Sequence, residues 1–261
     1  IGGSRSVVSD VAGTTRDSID SIYNAFGHTV VLVDTAGLRK RKLIDNDIEF
    51  YSSIRTIKAI RQSDVCLLLI DATEGLCRQD LAIFKEITEA NKGVVILVNK
   101  WDLVAGEPGR YQRMVDDAER LISNVKGAAI VPLSGLTGAG IDQLMEACFK
   151  AAEIWSKRVS TGQINRWLET VLEKHPPPAI SGRRIKIRYA TQPKARPPLF
   201  ALFGNQLDAL PGSYVRYLVN GLRKSFDMPG VPIRLHLRGG ANPYAKGEHA
   251  PLFSNRGLFR H

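Results

Sequence analysis

Gly93-Val-Val-Ile-Leu-Val-Asn-Lys-Trp-Asp102 runs an unbroken apolar segment directly into a polar loop. Because every position from 93 to 98 is apolar or Gly, rather than every second one, the segment reads as a strand buried on both faces. Strands of that kind belong to parallel sheets covered by helices. Ligands of such sheets sit beyond the carboxyl ends of the strands, which is where Asn99, Lys100 and Asp102 stand. A carboxylate at Asp102 could accept from both the ring N–H and the exocyclic amine of guanine. Adenine would aim a lone pair at it, a repulsion rather than a lost contact. Asn99 could bond the other edge of the purine and brace the loop, while the methylene stem of Lys100 could lie against the ring face.

Outward from this stretch the pattern repeats. Val65–Asp71 and Ala129–Leu133 read as further buried strands, separated from 93–99 by helical spacing near Gln79–Ala90 and Tyr111–Asn124, and a last helix covers Ile141–Trp155. Upstream, Ser18–Phe26 and Thr29–Asp34 are β-branched runs broken by Gly27-His28, a hairpin signal, and residues 46–61 have helical spacing. The expected fold for 1–160 is α/β, a mostly parallel sheet with helices on both faces. Beyond it the order changes. A helix over Gln163–Glu173 meets Pro176-Pro-Pro178. Strands at Arg184–Ala190 and Leu199–Phe203 flank a loop over Thr191–Pro198, Pro211–Phe226 is a helix, and Val231–Leu237 is a strand. That order suits a small α+β unit with three strands. We expect domains at 1–160 and 161–245, with 246–261 a flexible tail.

Charge divides at the same point. The net charge is +10 over 261 residues; 1–160 carry 20 Lys and Arg against 21 Asp and Glu, whereas 161–261 carry 16 against 5. All the excess is therefore C-terminal, an electrostatic footprint suited to phosphate backbones. The longest apolar run, Val65–Ile70, is far short of the roughly 20 residues of a membrane span. Cys66, Cys77 and Cys148 are odd in number and widely spaced, which fits a reducing compartment and no metal site. The expected location is cytoplasmic.

Three more loops lie at strand edges. Asp34-Thr-Ala-Gly37 ends the second strand, where Asp34 could hold Mg²⁺ through water and the Gly37 N–H could approach a terminal phosphate. In Gly13-Thr-Thr-Arg-Asp17, Thr15, in preference to Thr14, could complete the Mg²⁺ shell. Ser134-Gly135-Leu136 follows the strand at 129–133, and the Gly135 N–H could donate to guanine O6. Gly135-Leu-Thr-Gly-Ala-Gly140 has dinucleotide-loop spacing but is better read as a loop and helix start.

Together GTTRD, DTAG, NKWD and SGL resemble the translational GTPase-like class, in the group that includes Era, MnmE and EngA. Pro176-Pro-Pro178, Arg183-Arg-Ile-Lys-Ile-Arg-Tyr-Ala-Thr-Gln192, Arg196-Pro-Pro198, Leu202-Phe-Gly-Asn205 and Pro232–Arg238 through Asn242-Pro-Tyr244 resemble the C-terminal domain of the EngA family. The resemblance implies a second GTPase domain of P-loop NTPase type followed by a KH-like domain. It implies binding and hydrolysis of GTP with Mg²⁺, GDP as product, and action in assembly of the large ribosomal subunit on ribosomal RNA. Thr15 and Gly37 are then the catalytic candidates, Thr15 and Asp34 the metal candidates, and Asn99, Lys100, Asp102, Ser134 and Gly135 the nucleotide contacts.

The sequence departs from that pattern in places. No phosphate loop GxxxxGK followed by Ser or Thr occurs in the 261 residues, nor does the family's first GTPase domain, and Ile1-Gly-Gly-Ser-Arg5 looks like the end of the helix after such a loop. A polypeptide beginning at Ile1 is expected to bind GTP weakly and barely hydrolyse it. The alternative is a non-catalytic RNA- or ribosome-binding module that keeps only guanine recognition. Leu38 follows Gly37 and cannot orient a water as Gln would; members of the resembled family share this change, and several use K⁺, which the resemblance therefore implies here. No GxxG lies between 162 and 261, so RNA contact would rest on charge at Arg183, Arg184, Lys186, Arg188, Lys194 and Arg196. The competing reading for this domain is docking against a GTPase domain.

Overall fold

A computed structural model describes residues 20–25, 27–33, 56–122, 125–180 and 183–239. Its first part is a hairpin, β1 (Asp20–Ala25) and β2 (His28–Val33), followed by a parallel sheet of β3 (Val65–Asp71), β4 (Gly93–Asn99) and β5 (Ala129–Pro132) in the order β3-β4-β5. The hairpin pairs Asp20 with Val33 and Ala25 with His28, and Gly27 sits at φ +76° in the turn. Among the described residues it forms its own two-stranded ladder, separate from the parallel sheet. Residues 56–62 are helical, the described end of the helix expected over 46–61.

Both faces of β4 are covered, as its unbroken apolar run requires. Val94, Ile96 and Val98 point into one cluster with Phe84 and Ile87 of α1 (Arg78–Glu89) and Met114 and Ala118 of α2 (Arg110–Leu121). Val95 and Leu97 point the other way, packing with Val131 and with Leu144, Ala147 and Ala151 of α3 (Ile141–Trp155). The side-chain period of two thus delivers one strand's residues to two cores.

The second part contains α4 (Thr161–Lys174), a short hairpin of β6 (Ala179–Ile180) and β7 (Arg183–Arg184), β8 (Lys186–Lys194), β9 (Leu199–Asn205), α5 (Gly212–Ser225) and β10 (Arg234–Gly239). Ser160 caps α4 in a reciprocal box with Gln163, which satisfies two donors that a helix start otherwise leaves orphaned. The sheet order is β10-β9-β8; β8 and β9 are antiparallel, and β9 and β10 parallel through the α5 crossover. Phe200, Leu202, Ile164, Leu168, Leu218 and Leu222 form its core.

The C-terminal part departs from the expected elements chiefly in two strand boundaries and one added hairpin. The first strand of this sheet continues to Lys194, so the loop shrinks to a turn at 195–198. Two features explain it: an irregularity in the ladder between Thr191 and Lys194 accommodates Pro193, and the Gln192 amide is fastened to Val159 N (2.7 Å) and Lys157 O (2.9 Å). The last strand begins at Arg234 rather than Val231, because Val231 and Pro232 are buried as a link and Pro has no N–H for a ladder. The β6–β7 hairpin was not expected. The tail at 246–261 lies outside the described residues.

The two parts meet through α3. Ile154 and Trp155, at its end, belong to the C-terminal core, while Trp155 Nε1 donates to Asn91 O at 2.8 Å in the α1–β4 link. The Gly230 N–H donates to Lys126 O at 3.0 Å. A Cβ on Gly230, at φ +67°, would lie 2.9 Å from Ala128 Cα, so backbone meets backbone there.

Candidate functional site

The carboxyl ends of β3, β4 and β5 are tied by main-chain bonds that continue past the sheet. Ala72 N donates to Asn99 O at 2.8 Å, Leu133 N to Val98 O at 2.9 Å, and Trp101 N to Leu133 O at 3.0 Å. Residues 101–103 then make one 3-10 turn, entered through Lys100 at φ 61°, ψ 32°. A left-handed lysine costs roughly 1–2 kcal/mol and persists only where its surroundings fix it.

Asn99 does much of the fixing. Its Oδ1 accepts from Lys100 N at 2.8 Å and from Gly135 N at 2.9 Å, so one side chain clasps the loops after β4 and β5. Two N–H donors aimed at one atom also settle the amide's orientation, leaving Nδ2 as the group turned to other partners. The Gly135 N–H, expected on guanine O6, is therefore spent on Asn99. A single N–H cannot serve two acceptors at full strength, so Gly135 acts here as a brace. Ser134, 2% exposed, accepts through its carbonyl from Gly138 N (2.8 Å) and through Oγ from Thr137 N (3.2 Å). Gly140, at φ +90°, brings the chain so close to β5 that a Cβ would sit 2.2 Å from Pro132 O. The 135–140 segment is thus the loop and helix start it was read as.

The Lys100 amine is not free. Its Nζ lies 2.8 Å from Asp71 Oδ2, a carboxylate only 4% exposed, while the lysine side chain is 55% exposed. Asp71 Oδ1 accepts from Thr73 N (2.9 Å) and Thr73 Oγ1 (2.6 Å). Burial pushes the Asp71 carboxyl up, but the Lys100 ammonium and the two Thr73 donors outweigh it and hold the group well below the ordinary carboxylate range. The Thr73 loop is held in turn by Arg110, whose guanidinium donates to Ala72 O and reaches Thr73 O at 3.5 Å. The Lys100 stem is thereby stretched along the loop surface. Asp102 is exposed and makes no hydrogen bond or ion pair to a described residue.

The structure thus brings Asn99, Lys100, Asp102, Ser134 and Gly135 together. Thr15, Asp34 and Gly37 lie outside the described residues, as does Arg39-Lys-Arg-Lys42. Sequence reading missed Asp71 and Arg110. One signal was available for Asp71: it ends an apolar strand as Asn99 does, and the two are register partners across β3 and β4. Among the described residues no cluster of His, Cys, Asp and Glu could hold a metal ion, no helix is long and apolar enough to cross a membrane, and all three cysteines are free.

The chain is similar to known proteins. Residues 1–100 match the family model described as 50S ribosome-binding GTPase, and 158–238 match KH-domain-like of EngA bacterial GTPase enzymes, C-terminal. GTPase Der of Bradyrhizobium sp. (strain ORS 278) is 43% identical over 96% of this chain and 55% of its own length. GTPase Der of Azorhizobium caulinodans is 46% identical over 94% and 54%. The chain thus spans about half the length of the curated relatives it matches. In fold alone it is similar to Aquifex aeolicus Era bound to GDP·AlF4⁻, with a TM-score of 0.50 at 20% identity, covering 89% of this chain and 83% of that one. A second Era structure, in complex with MgGDPNP and a segment of 16S ribosomal RNA, gives the same values.

Proposed function

The chain belongs to the GTPase Der (EngA) family, and on that premise we propose that it is the guanine-reading and RNA-contacting portion of a GTP-hydrolysing protein that acts on the large ribosomal subunit in the cytoplasm. The observation that carries the reading is the cross-braced loop pair, which leaves the Asp102 carboxylate exposed beside an Asn99 amide of fixed orientation. Asp102 accepts from guanine, Asn99 Nδ2 donates to the opposite edge, the Lys100 stem covers the ring, and Ser134 and Gly135 hold the rim. GTP would enter through this base contact. When bound, Mg²⁺ would neutralise charge on the phosphates, with Thr15 and Asp34 as its ligands and Gly37 at the terminal phosphate. The proposed K⁺ requirement rests on the family resemblance, whose members share an apolar residue at the position of Leu38. The proposed domains are 1–160 and 161–245, with the tail at 246–261.

Base selectivity tests the site. Calorimetric titration with GDP, ADP and XDP should show GDP preferred over ADP. Asp102→Asn replaces an acceptor with a donor, so GDP should weaken at least about 100-fold while XDP, with a carbonyl where guanine has its amine, strengthens. Equal affinity for GDP and ADP would sink the reading. Phosphate release by the complete protein should be faster in K⁺ than in Na⁺, and equal rates would remove the K⁺ proposal.

A further inference from the structure

The C-terminal sheet has two faces of opposite character. Phe200, Leu202 and Ala190 point into the core with the helices, and Leu235 and Leu237 pack against it. The other face is set by register. Arg238 lies beside Phe203, which lies beside Tyr189; His236 beside Ala201 and Thr191; Arg234 beside Leu199 and Lys194. Arg234, His236, Arg238 and Lys194 are exposed, and no acidic residue stands among these nine. The Phe203 and Tyr189 rings lie flat on one another, 4.5 Å apart and 4° from parallel, and both are half-buried. At the next position along, Lys186, opposite Asn205, is also exposed.

We propose that this outer face of β8–β9–β10 binds single-stranded RNA, with Arg234, Arg238 and Lys194 on phosphates and the Phe203–Tyr189 stack receiving a base. The proposal rests on the reading of the protein as an RNA-contacting GTPase and adds to it the surface and the form of RNA. Arg234 and Arg238, four residues apart on one strand, are separated by roughly 13 Å, enough to meet two phosphates of one extended strand. A stacked aromatic pair offers what single-strand binders use, since every base has a π-face that can lengthen the stack. A duplex has no free base to add. The charge is one-signed over the whole face and so complements a polyanion rather than a mixed-charge protein. His236 reports the same field: burial, then Arg238 and Arg234, disfavour its imidazolium. A phosphate chain laid across the face would reverse that effect. Of the cations singled out from sequence, register puts Lys186 and Lys194 on this face, while Arg234 and Arg238 were not among them.

The test is fluorescence anisotropy of the 261-residue chain with a labelled oligouridylate of roughly ten nucleotides and with an RNA duplex of the same length. The single strand should bind more tightly. Arg234→Gln with Arg238→Gln should weaken it at least about 10-fold and reduce the slope of log affinity against log salt by about 1.4. Phe203→Leu should weaken it about 3- to 10-fold with the slope unchanged. Removing the same charge from the helical side, Arg166→Gln with Arg216→Gln, should change affinity less than about 2-fold. In NMR titrations the His236 pKa should rise when the oligonucleotide is present. Several outcomes overturn the surface while leaving the wider reading intact: equal loss in the two double variants, equal affinity for duplex, an unmoved His236, or displacement by polyglutamate as readily as by RNA. The last would mark a docking site for an acidic protein. If the unaltered chain bound neither RNA, the RNA-contacting reading would fall along with it.

Discussion

Asp71 shows how a residue outside the proposed base contact can govern one within it. Its carboxylate is buried, takes two bonds from Thr73 and holds the Lys100 amine at 2.8 Å. Replacing it by Asn keeps the shape and deletes the charge. Asp71→Asn should cost about 1–3 kcal/mol of stability, read as a lower urea midpoint, and should weaken GDP because the Lys100 stem is no longer stretched over the loop. The pH dependence has a definite sign. The folded-state pKa is depressed below the unfolded value of about 3.9, so the stabilisation is complete above that value and is lost as pH falls toward the folded one. Between about pH 5 and pH 2 the unaltered chain should therefore lose more stability than Asp71→Asn does. Parallel loss in the two proteins would mean that the carboxylate carries no such linkage.

At the scale of elements, two glycines beside helix starts have opposite requirements. Gly140 combines φ +90° with a Cβ position 2.2 Å from Pro132 O, so neither the backbone conformation nor the space admits a side chain. Gly140→Ala should destabilise by more than about 3 kcal/mol and pull the Ser134–Gly135 rim away from Asn99. Gly162, inside the first turn of α4, has nothing within 4 Å of its Cβ position. There Gly162→Ala should stabilise by about 0.4–1 kcal/mol, chiefly by restricting the unfolded chain. Chemical denaturation of both variants checks the pair, and a milder effect at Gly140 than at an ordinary surface site would contradict the geometry.

For the whole molecule, Trp155 is the shared element. Its ring belongs to the C-terminal core while its indole N–H serves a carbonyl of the N-terminal part, and Lys92 sits over the ring at 5.6 Å. The Gly230–Lys126 bond and the close backbone approach at Ala128 make a second junction. Trp155→Ala should cost about 3–5 kcal/mol and separate the unfolding of the two parts. Calorimetry should then resolve two transitions where the unaltered chain gives one; a single transition in the variant would show that the coupling lies elsewhere.

The sequence by itself determined the alternation of buried strands and helices, the split in charge near residue 160 and the place of the Asn99–Asp102 loop at the end of a buried strand. Each of these is written locally: a short, β-branched, unbroken apolar run bounded by polar loops suits a strand covered on both faces, and Asn99 to Asp102 are contiguous. Tertiary structure decided what depends on residues far apart in the chain. The Asn99 clasp on Gly135, the Asp71 anchor for Lys100 and the alignment of Arg238 with Phe203 and Tyr189 all join separate strands. Their strength comes from register and burial, which fix the distance between groups, and no spacing along one chain encodes that distance.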